Sequence, residues 1–340
     1  MYKILVDAYG GDNAPQSVID GSIEALKQKD NFIISLVGKE EEIKTLLQQK
    51  DYDESRIEII NAEEIITCEE EPTIAIRRKT NSTINVAFKT LKEDDDYVGF
   101  VSAGSTGALL VGATLKLGRA PMVNRPALCP VIPTIKDGKN VLLLDSGANA
   151  DCKPINLCQF AVMGSEFSKV LGVKKPKVAL LSNGTEDEKG NTLTQNVFHI
   201  LKKLDCIDFV GNVEARDILT GEVDVIVADG FSGNVALKSV EGAVKTMFRL
   251  VNREIKASLS AKIGALFLRR TLKSLIKKLD YSKKGGAIVL GVKKTVVKAH
   301  GSSKAIAITN AILQANAYAK ENLSAKVSKV METVTFPEMT

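Results

Sequence analysis

The chain contains no tryptophan, only two histidines among its 340 residues, and 5% aromatic side chains. His199 and His300 alone offer imidazole, which argues against a histidine-rich metal centre. The five cysteines, Cys68, Cys129, Cys152, Cys158 and Cys206, are odd in number and scattered, and no Cys-x-x-Cys pair occurs. A zinc site or disulfide framework therefore has no support, and reduced, mostly buried thiols are expected. No metal and no cofactor is expected. With few aromatics and no nucleic-acid module, the chain is not read as a nucleic-acid binder. No apolar run is long enough to span a bilayer, and the opening MYKILVDAYGGD reads as a strand and a tight loop, not a signal peptide. A cytoplasmic protein is expected. The dinucleotide pattern Gly-x-Gly-x-x-Gly is missing. Gly286 and Gly291 have the spacing of a phosphate-binding P-loop, but Val292 stands where that loop needs lysine. No Gly-x-Ser-x-Gly elbow is present, so a serine hydrolase triad has little support. Linkers, low-complexity segments and fixed-period repeats are also missing, which favours one α/β unit over residues 1–340.

What is present is ordinary globular material, 44% hydrophobic and 26% charged. Short apolar runs alternate with helical patterns. KILVDA, FIISLVG, RIEIINA, YVGFVSA, NVLLLDSG, KVALLSNG, VDVIVADG and GAIVLGV read as strands. Most are apolar throughout, as parallel strands covered by helices on both faces are. Between them, Pro15–Lys29, Pro72–Lys92, Pro154–Leu171 and Asn234–Val251 read as amphipathic helices, with Pro15 and Pro154 suited to a first helical turn. The expectation is a three-layer α/β/α fold with a mostly parallel sheet.

The loops after the strands are rich in Gly, Ser, Asn and Asp: DAYGGDNAP, SAGSTGA, DSGANAD, SNGTEDEKGN, ADGFSGN and AHGSS. Open α/β sheets bind ligands beyond the carboxyl ends of their strands. Six such loops suggest one polar site lined largely by backbone N–H groups. In the second loop, Gly104, Ser105, Thr106 and Gly107 turn tightly into a helix, a geometry that favours an anion such as phosphate. Asp229 ends a strand, where it is placed to accept a proton or orient a hydroxyl, with Ser232 and Asn234 beside it. His300 ends another strand before Ser302, Ser303 and Lys304, a candidate general base or phosphate ligand. Further candidates are Asp7, Gly10, Gly11 and Asp12 in the first loop, Asp145, Asn149, Asp151 and Lys153 in the third, and Asn183 and Glu186 in the fourth. His199 lies inside a helix and reads as structural.

Eight blocks now have a family likeness. DAYGGDNAP, SAGSTGALLVGA, NRPAL, DSGANADCKP, LSNGTEDEKGN, GNVEARD, ADGFSGNVALK and KAHGSS resemble, in order, the signature segments of the bacterial acyl-ACP:phosphate acyltransferases, the PlsX family. Tyr9 stands where the family pattern usually has methionine. The resemblance implies a fold like phosphotransacetylase and isopropylmalate dehydrogenase, and a homodimer. It implies transfer of a long acyl chain from acyl carrier protein to inorganic phosphate, giving an acyl phosphate. A membrane glycerol-3-phosphate acyltransferase then uses that product in phospholipid synthesis. Gly104, Ser105 and Thr106 are the expected phosphate ligands, with Asp229, Ser232 and Asn234 near the reacting centre and His300, Ser302 and Lys304 next. Direct transfer is expected, with Cys152 as the thiol to suspect otherwise. Transfer from a short-chain acyl-CoA, and a non-catalytic membrane-bound acyl-ACP scaffold, stay open as alternatives.

One segment differs from the rest. Residues 249–284 hold eleven basic side chains against two acidic ones, a net of +9, which leaves −4 for the remainder of a chain with formal charge +5. Two amphipathic helices are expected here, meeting at an apolar tip of Leu266, Phe267 and Leu268 flanked by Lys262, Arg269 and Arg270. Such a hairpin suits an anionic membrane surface. Arg269, Arg270, Lys273, Lys277 and Lys278 equally suit an acidic carrier protein. A peripheral position on the inner face of the cell membrane is expected.

Overall fold

The strand sequences commit the chain to two sheets. The computed structural model describes residues 1–272 and 285–336. The first sheet has seven strands in the order β3 (Ile57–Asn61), β2 (Phe32–Gly38), β1 (Tyr2–Asp7), β4 (Tyr97–Ser102), β12 (Thr295–Lys298), β11 (Ala287–Leu290) and β5 (Ala127–Cys129). From β3 to β12 every pairing is parallel, and β11 and β5 add antiparallel at one edge. The second sheet has the order β6 (Val131–Pro133), β7 (Asn140–Leu144), β10 (Val225–Val227), β8 (Lys177–Ser182) and β9 (Asp208–Glu214), parallel except for β6.

Period-two alternation explains why these strands are apolar throughout. Ile4, Val6, Ile34, Leu36, Val101 and Val297 face one side of the first sheet, under α1 (Gln16–Gln28) and the helix Ala305–Lys320. Leu5, Val37, Phe100 and Val296 face the other, against α3 (Pro72–Arg78), α4 (Thr83–Glu93) and α5 (Thr106–Gly112). In the second sheet Leu142, Leu144, Val178, Leu180, Val225 and Val227 share a cluster with α6 (Pro154–Val170) and α7 (Thr192–Leu201), which also takes in Cys129, Ile288 and Leu290 of the first sheet. Val141, Leu143, Ala179 and Ile226 fill the opposite face. Fully burying side chains of this size stabilises the fold by about 1.5–3 kcal/mol each.

Some local expectations change. The helix expected over Pro72–Lys92 is two helices, because Asn85 Nδ2 donates to Ile76 O at 2.9 Å and Lys79 O at 2.8 Å, closing a turn that Ser82 then caps. Pro15 is the N-cap of α1, one position before its first turn. The helix expected from Asn234 begins at Gly230 as α8 (Gly230–Ala257). Asp229 caps it by accepting the Ser232 N–H at 2.8 Å. Its only buried residues are Gly230, Gly233 and Ala236. At Ser258 the backbone becomes extended (φ −126°, ψ 139°) before α9 (Leu259–Phe267) resumes the helix. The expected second arm of the basic hairpin, with Lys273, Lys277 and Lys278, lies outside the described residues. The thiols are only partly as expected: Cys129 and Cys158 are buried, Cys152 is half-buried, and Cys68 and Cys206 are exposed. Among the described residues no helix is long and apolar enough to cross a membrane.

Candidate active site

β1, β4 and β12 are neighbours, so their carboxyl ends deliver Asp7, Ser102 and Lys298 side by side. The loops that follow are tied together. Ala299 N donates to Ser102 O at 2.9 Å and Asp12 N to Gly301 O at 2.8 Å. Asn13 Nδ2 reaches Ser302 O at 3.3 Å and Ser303 O at 3.2 Å. Gly10 permits this approach: a Cβ there would lie 2.7 Å from both Asp7 Oδ2 and Gly104 N. Asp7, Gly10, Gly11, Asp12, Gly104, Ser105, His300 and Ser302 thus belong to one loop cluster, which takes in three of the six loops expected to form a single site.

Asp7 is its buried centre. Its carboxylate accepts the Ser102 hydroxyl at 2.7 Å and the Tyr9 N–H at 3.2 Å. Burial raises its pKa, and the Ser102 and Thr83 hydroxyls, then the Tyr9 amide and the Lys298 charge, pull it back. Ser102 Oγ also accepts Gly104 N–H at 3.0 Å, which fixes the start of the anion-type loop. Ser105 caps α5 by accepting Ala108 N–H at 3.4 Å, and Thr106 opens that helix. With Ala108 N–H taken by Ser105, the first-turn amides of this short helix that have no intrahelical acceptor are those of Thr106 and Gly107. Ser302 Oγ and His300 Nδ1 lie 3.0 Å apart on the exposed rim, and Lys304, also exposed, stands at the N-cap position of the next helix without a side-chain capping bond. Tyr9 turns outward, its hydroxyl donating to Glu42 at 2.7 Å.

The second group of candidates lies at the ends of β7 and β10. Asp145 accepts N–H bonds from Leu128 (3.0 Å), Gly147 (3.1 Å), Ala148 (3.0 Å) and Asn149 (2.7 Å), plus Asn149 Nδ2 (2.9 Å). Burial raises its pKa and these donors oppose the rise. The N-terminus of α8 presses on this loop, with Gly147 facing the side chain of Asn234. Asp229 is committed to its cap, Lys153 starts α6, and burial pushes the Cys152 thiol up to about 11, which makes it a poor nucleophile at neutral pH. Asn183 and Glu186 sit apart on the exposed loop after β8, where Glu186 O accepts Asn212 Nδ2 at 2.8 Å. Among the described residues no hydrogen bond joins the three groups. A cavity of about 860 Å³ lies elsewhere, along α4 beside Lys89, Lys92 and Lys116.

Lys298 is the residue that sequence reasoning passed over. It ends β12 and is only 8% exposed. The run Thr295–Lys298, with two valines before the lysine, places it at a strand end, but lysine ordinarily reads as surface.

Parallel strands with polar loops at their carboxyl ends, covered by helices on both faces, define an α/β fold of the layered kind. The fold matches a phosphotransacetylase of Streptococcus pyogenes with a TM-score of 0.61 at 18% identity, covering 94% of each chain. Residues 2–326 match the family model described as "Fatty acid synthesis protein". The chain is 46% identical to a phosphate acyltransferase of Dictyoglomus thermophilum, covering 98% of each chain. It is 45% identical to that of Clostridium acetobutylicum over 97% of this chain and 98% of the other. The chain belongs to the phosphate acyltransferase family, a family of transferases.

Proposed function

We propose that this enzyme transfers a long acyl chain from the thioester of acyl carrier protein to inorganic phosphate. The observation that carries the reading is the loop cluster over Asp7, Ser102 and Lys298, which offers a fixed charge and backbone amides in a family of phosphate acyltransferases. Gly104, Ser105 and Thr106 hold the phosphate in this reading. A phosphate oxygen attacks the thioester carbonyl carbon, and the C=O electron pair moves to oxygen. Its return expels the thiolate, so one C–O bond forms and one C–S bond breaks. Thiolate is a good leaving group and phosphate is already a nucleophile, so positioning is the main demand. Holding both reactants in line lowers the barrier by about 7–11 kcal/mol. Asp229, Ser232 and Asn234 remain candidates for the acyl side, with Asp145 and Asn149 shaping the loop beneath them. The reaction runs in either direction, since both ends are activated acyl groups.

The product suits a membrane glycerol-3-phosphate acyltransferase, and the exposed tip of α9 suits delivery to an anionic membrane surface: Leu266, Phe267 and Leu268 are 68%, 84% and 55% exposed beside Arg269 and Arg270. Val244, Met247, Val251 and Ile255 form an unburied stripe on α8 at helical spacing, which a second copy would cover in a homodimer. Sedimentation as a monomer at working concentration would rule that assembly out.

The test uses purified protein, palmitoyl-ACP and inorganic phosphate, following free thiol and trapping acyl phosphate with hydroxylamine. Phosphate-dependent thiol release with a trapped acyl product is expected, with no turnover of acetyl-CoA. Carrier-protein binding without release would overturn the enzyme reading, and acetyl-CoA turnover would favour a short-chain substrate.

A further inference from the structure

Lysines of the first sheet are matched with carboxylates where they can be. Lys3 lies 2.8 Å from Glu58, and Lys294, just before β12, lies 3.1 Å from Asp95. Lys79, at the end of α3, lies 2.8 Å from Glu70. Each of these keeps about a quarter of its side chain in solvent. Lys298 is the more deeply buried and the less well matched. Its ammonium donates to two neutral acceptors, Ala103 O at 3.2 Å and Ala299 O. Among the described residues no carboxylate lies within ion-pair reach of it. The titratable groups that face it from the surrounding elements are Cys68 before α3, Asp7 at the end of β1, and Asp12 in the following loop. Asp7 is already engaged by Ser102, Thr83 and Tyr9. His300, two residues further on, turns to Ser302.

A buried ammonium without a paired carboxylate works against folding. Two carbonyl acceptors offset part of that penalty, but an apolar side chain of similar length would not incur it. The position therefore has no evident structural reason to be cationic. It has a chemical one: the ammonium sits where three parallel strands end, the place at which open α/β sheets bind ligands. We infer that Lys298 supplies the fixed positive charge that binds the phosphate nucleophile at the ends of β1, β4 and β12. The inference rests on the acyl-transfer reading above and adds to it the group that carries phosphate affinity. Phosphate completes the pairing that the fold leaves open, and its charge is drawn away from Asp7 and Asp12 toward the ammonium.

Burial also lowers the pKa of Lys298 to about 8, so the free site loses its charge in mildly alkaline solution. Anion affinity then falls as pH rises through that value, by up to about tenfold per unit. The first experiment titrates the wild-type enzyme with inorganic phosphate, and in parallel with sulfate, by calorimetry without acyl donor from pH 7 to 9.5. Sulfate stays doubly charged throughout, so it separates the titration of the protein from that of the ligand. The expected result is a Kd for both anions that climbs above pH 8. Lys298→Met should raise the phosphate Kd and KM at least tenfold at pH 7, abolish the alkaline climb, and melt at the wild-type temperature or above it. Lys298→Arg, which keeps the charge, should recover part of the affinity. A Kd that is flat for sulfate from pH 7 to 9.5 in the wild type would overturn the alkaline release of the anion, and a folded Lys298→Met or Lys298→Arg enzyme with the wild-type phosphate Kd at pH 7 would overturn the inference itself. So would a Lys298→Met enzyme that melts much lower while its phosphate KM is unchanged, since that is the signature of a structural lysine. If wild type binds phosphate through Lys298 but never turns over palmitoyl-ACP, the donor assignment fails and the anion site stands.

Discussion

Asp145, a strand-end candidate in the sequence, is held by its own loop. Its carboxylate collects four backbone amides and the Asn149 side chain, all within 3.1 Å, while fully buried. Asn in its place would turn one acceptor oxygen into a donor facing donors. Buried polar groups left unpaired cost about 1–3 kcal/mol, and hydrogen bonds to a charged group contribute a similar amount. Asp145→Asn should therefore lose about 2–4 kcal/mol in urea unfolding, with residual turnover in the folded fraction close to normal. Lys298 has the opposite signature. Its folded pKa of about 8 lies below the usual lysine value of 10.5, so between these values the unfolded chain binds more protons and stability rises with pH. The stability advantage of Lys298→Met over wild type should be largest below pH 8 and vanish by about pH 10.5, as paired denaturation curves would show. Nothing in the sequence distinguishes the two cases. Asp145 and Lys298 both end apolar strands beside glycines, and only the count of partners around each buried group separates an anchored residue from one with a charge to offer.

At the scale of elements, α8 is the instructive one. Gly230 and Gly233 read in the sequence as loop glycines, which put the helix start at Asn234. They are helical, and small because the helix abuts the β7 loop: a Cβ on Gly233 would lie 1.9 Å from Asp145 O, and one on Gly230 would lie 2.5 Å from Asn149 O. Gly233→Ala must push the helix start off that loop, with an expected loss of about 1–3 kcal/mol. It should also lower acyl turnover if Ser232 and Asn234 serve the acyl side; unaltered melting and kinetics would sink this account of the contact. The same strands and helices show what sequence pattern can reach. All eight apolar runs are strands, and for most of them burial on both faces leaves an unbroken signal; edge strand β3, with no buried residue, is legible from its β-branched side chains. β5 and β6, three residues each around Pro130, are too short for a period, and β9 is an edge strand broken by Gly211 at φ +101°. The break between α3 and α4 depends on Asn85 reaching back to two carbonyls, a contact that no periodicity announces.

For the molecule as a whole, the basic charge and the apolar exposure are concentrated in the same place. Beyond Ala236, α8 buries no residue, and α9 buries none at all. The chain thus extends a cationic arm, its α9 end exposing Leu259, Ile263, Leu266, Phe267 and Leu268, while the remainder carries net negative charge. Attraction to an anionic surface and insertion of apolar side chains contribute separately, and salt tells them apart. The screening length falls from about 10 Å at 0.1 M to about 3 Å at 1 M, which removes most of the charge attraction and leaves the apolar part. Flotation with vesicles rich in anionic lipid should therefore weaken at high salt without disappearing. Replacing Leu266 and Phe267 together by Glu should abolish it at every salt concentration, because charged side chains cannot enter the acyl boundary and they repel the lipid headgroups. Turnover of soluble acyl-ACP should survive that double substitution, since the strand-end loops do not include the tip. Flotation that the double substitution leaves unchanged would remove the arm from membrane binding, and a loss of soluble turnover would move it to carrier-protein docking, the other use its charge allows.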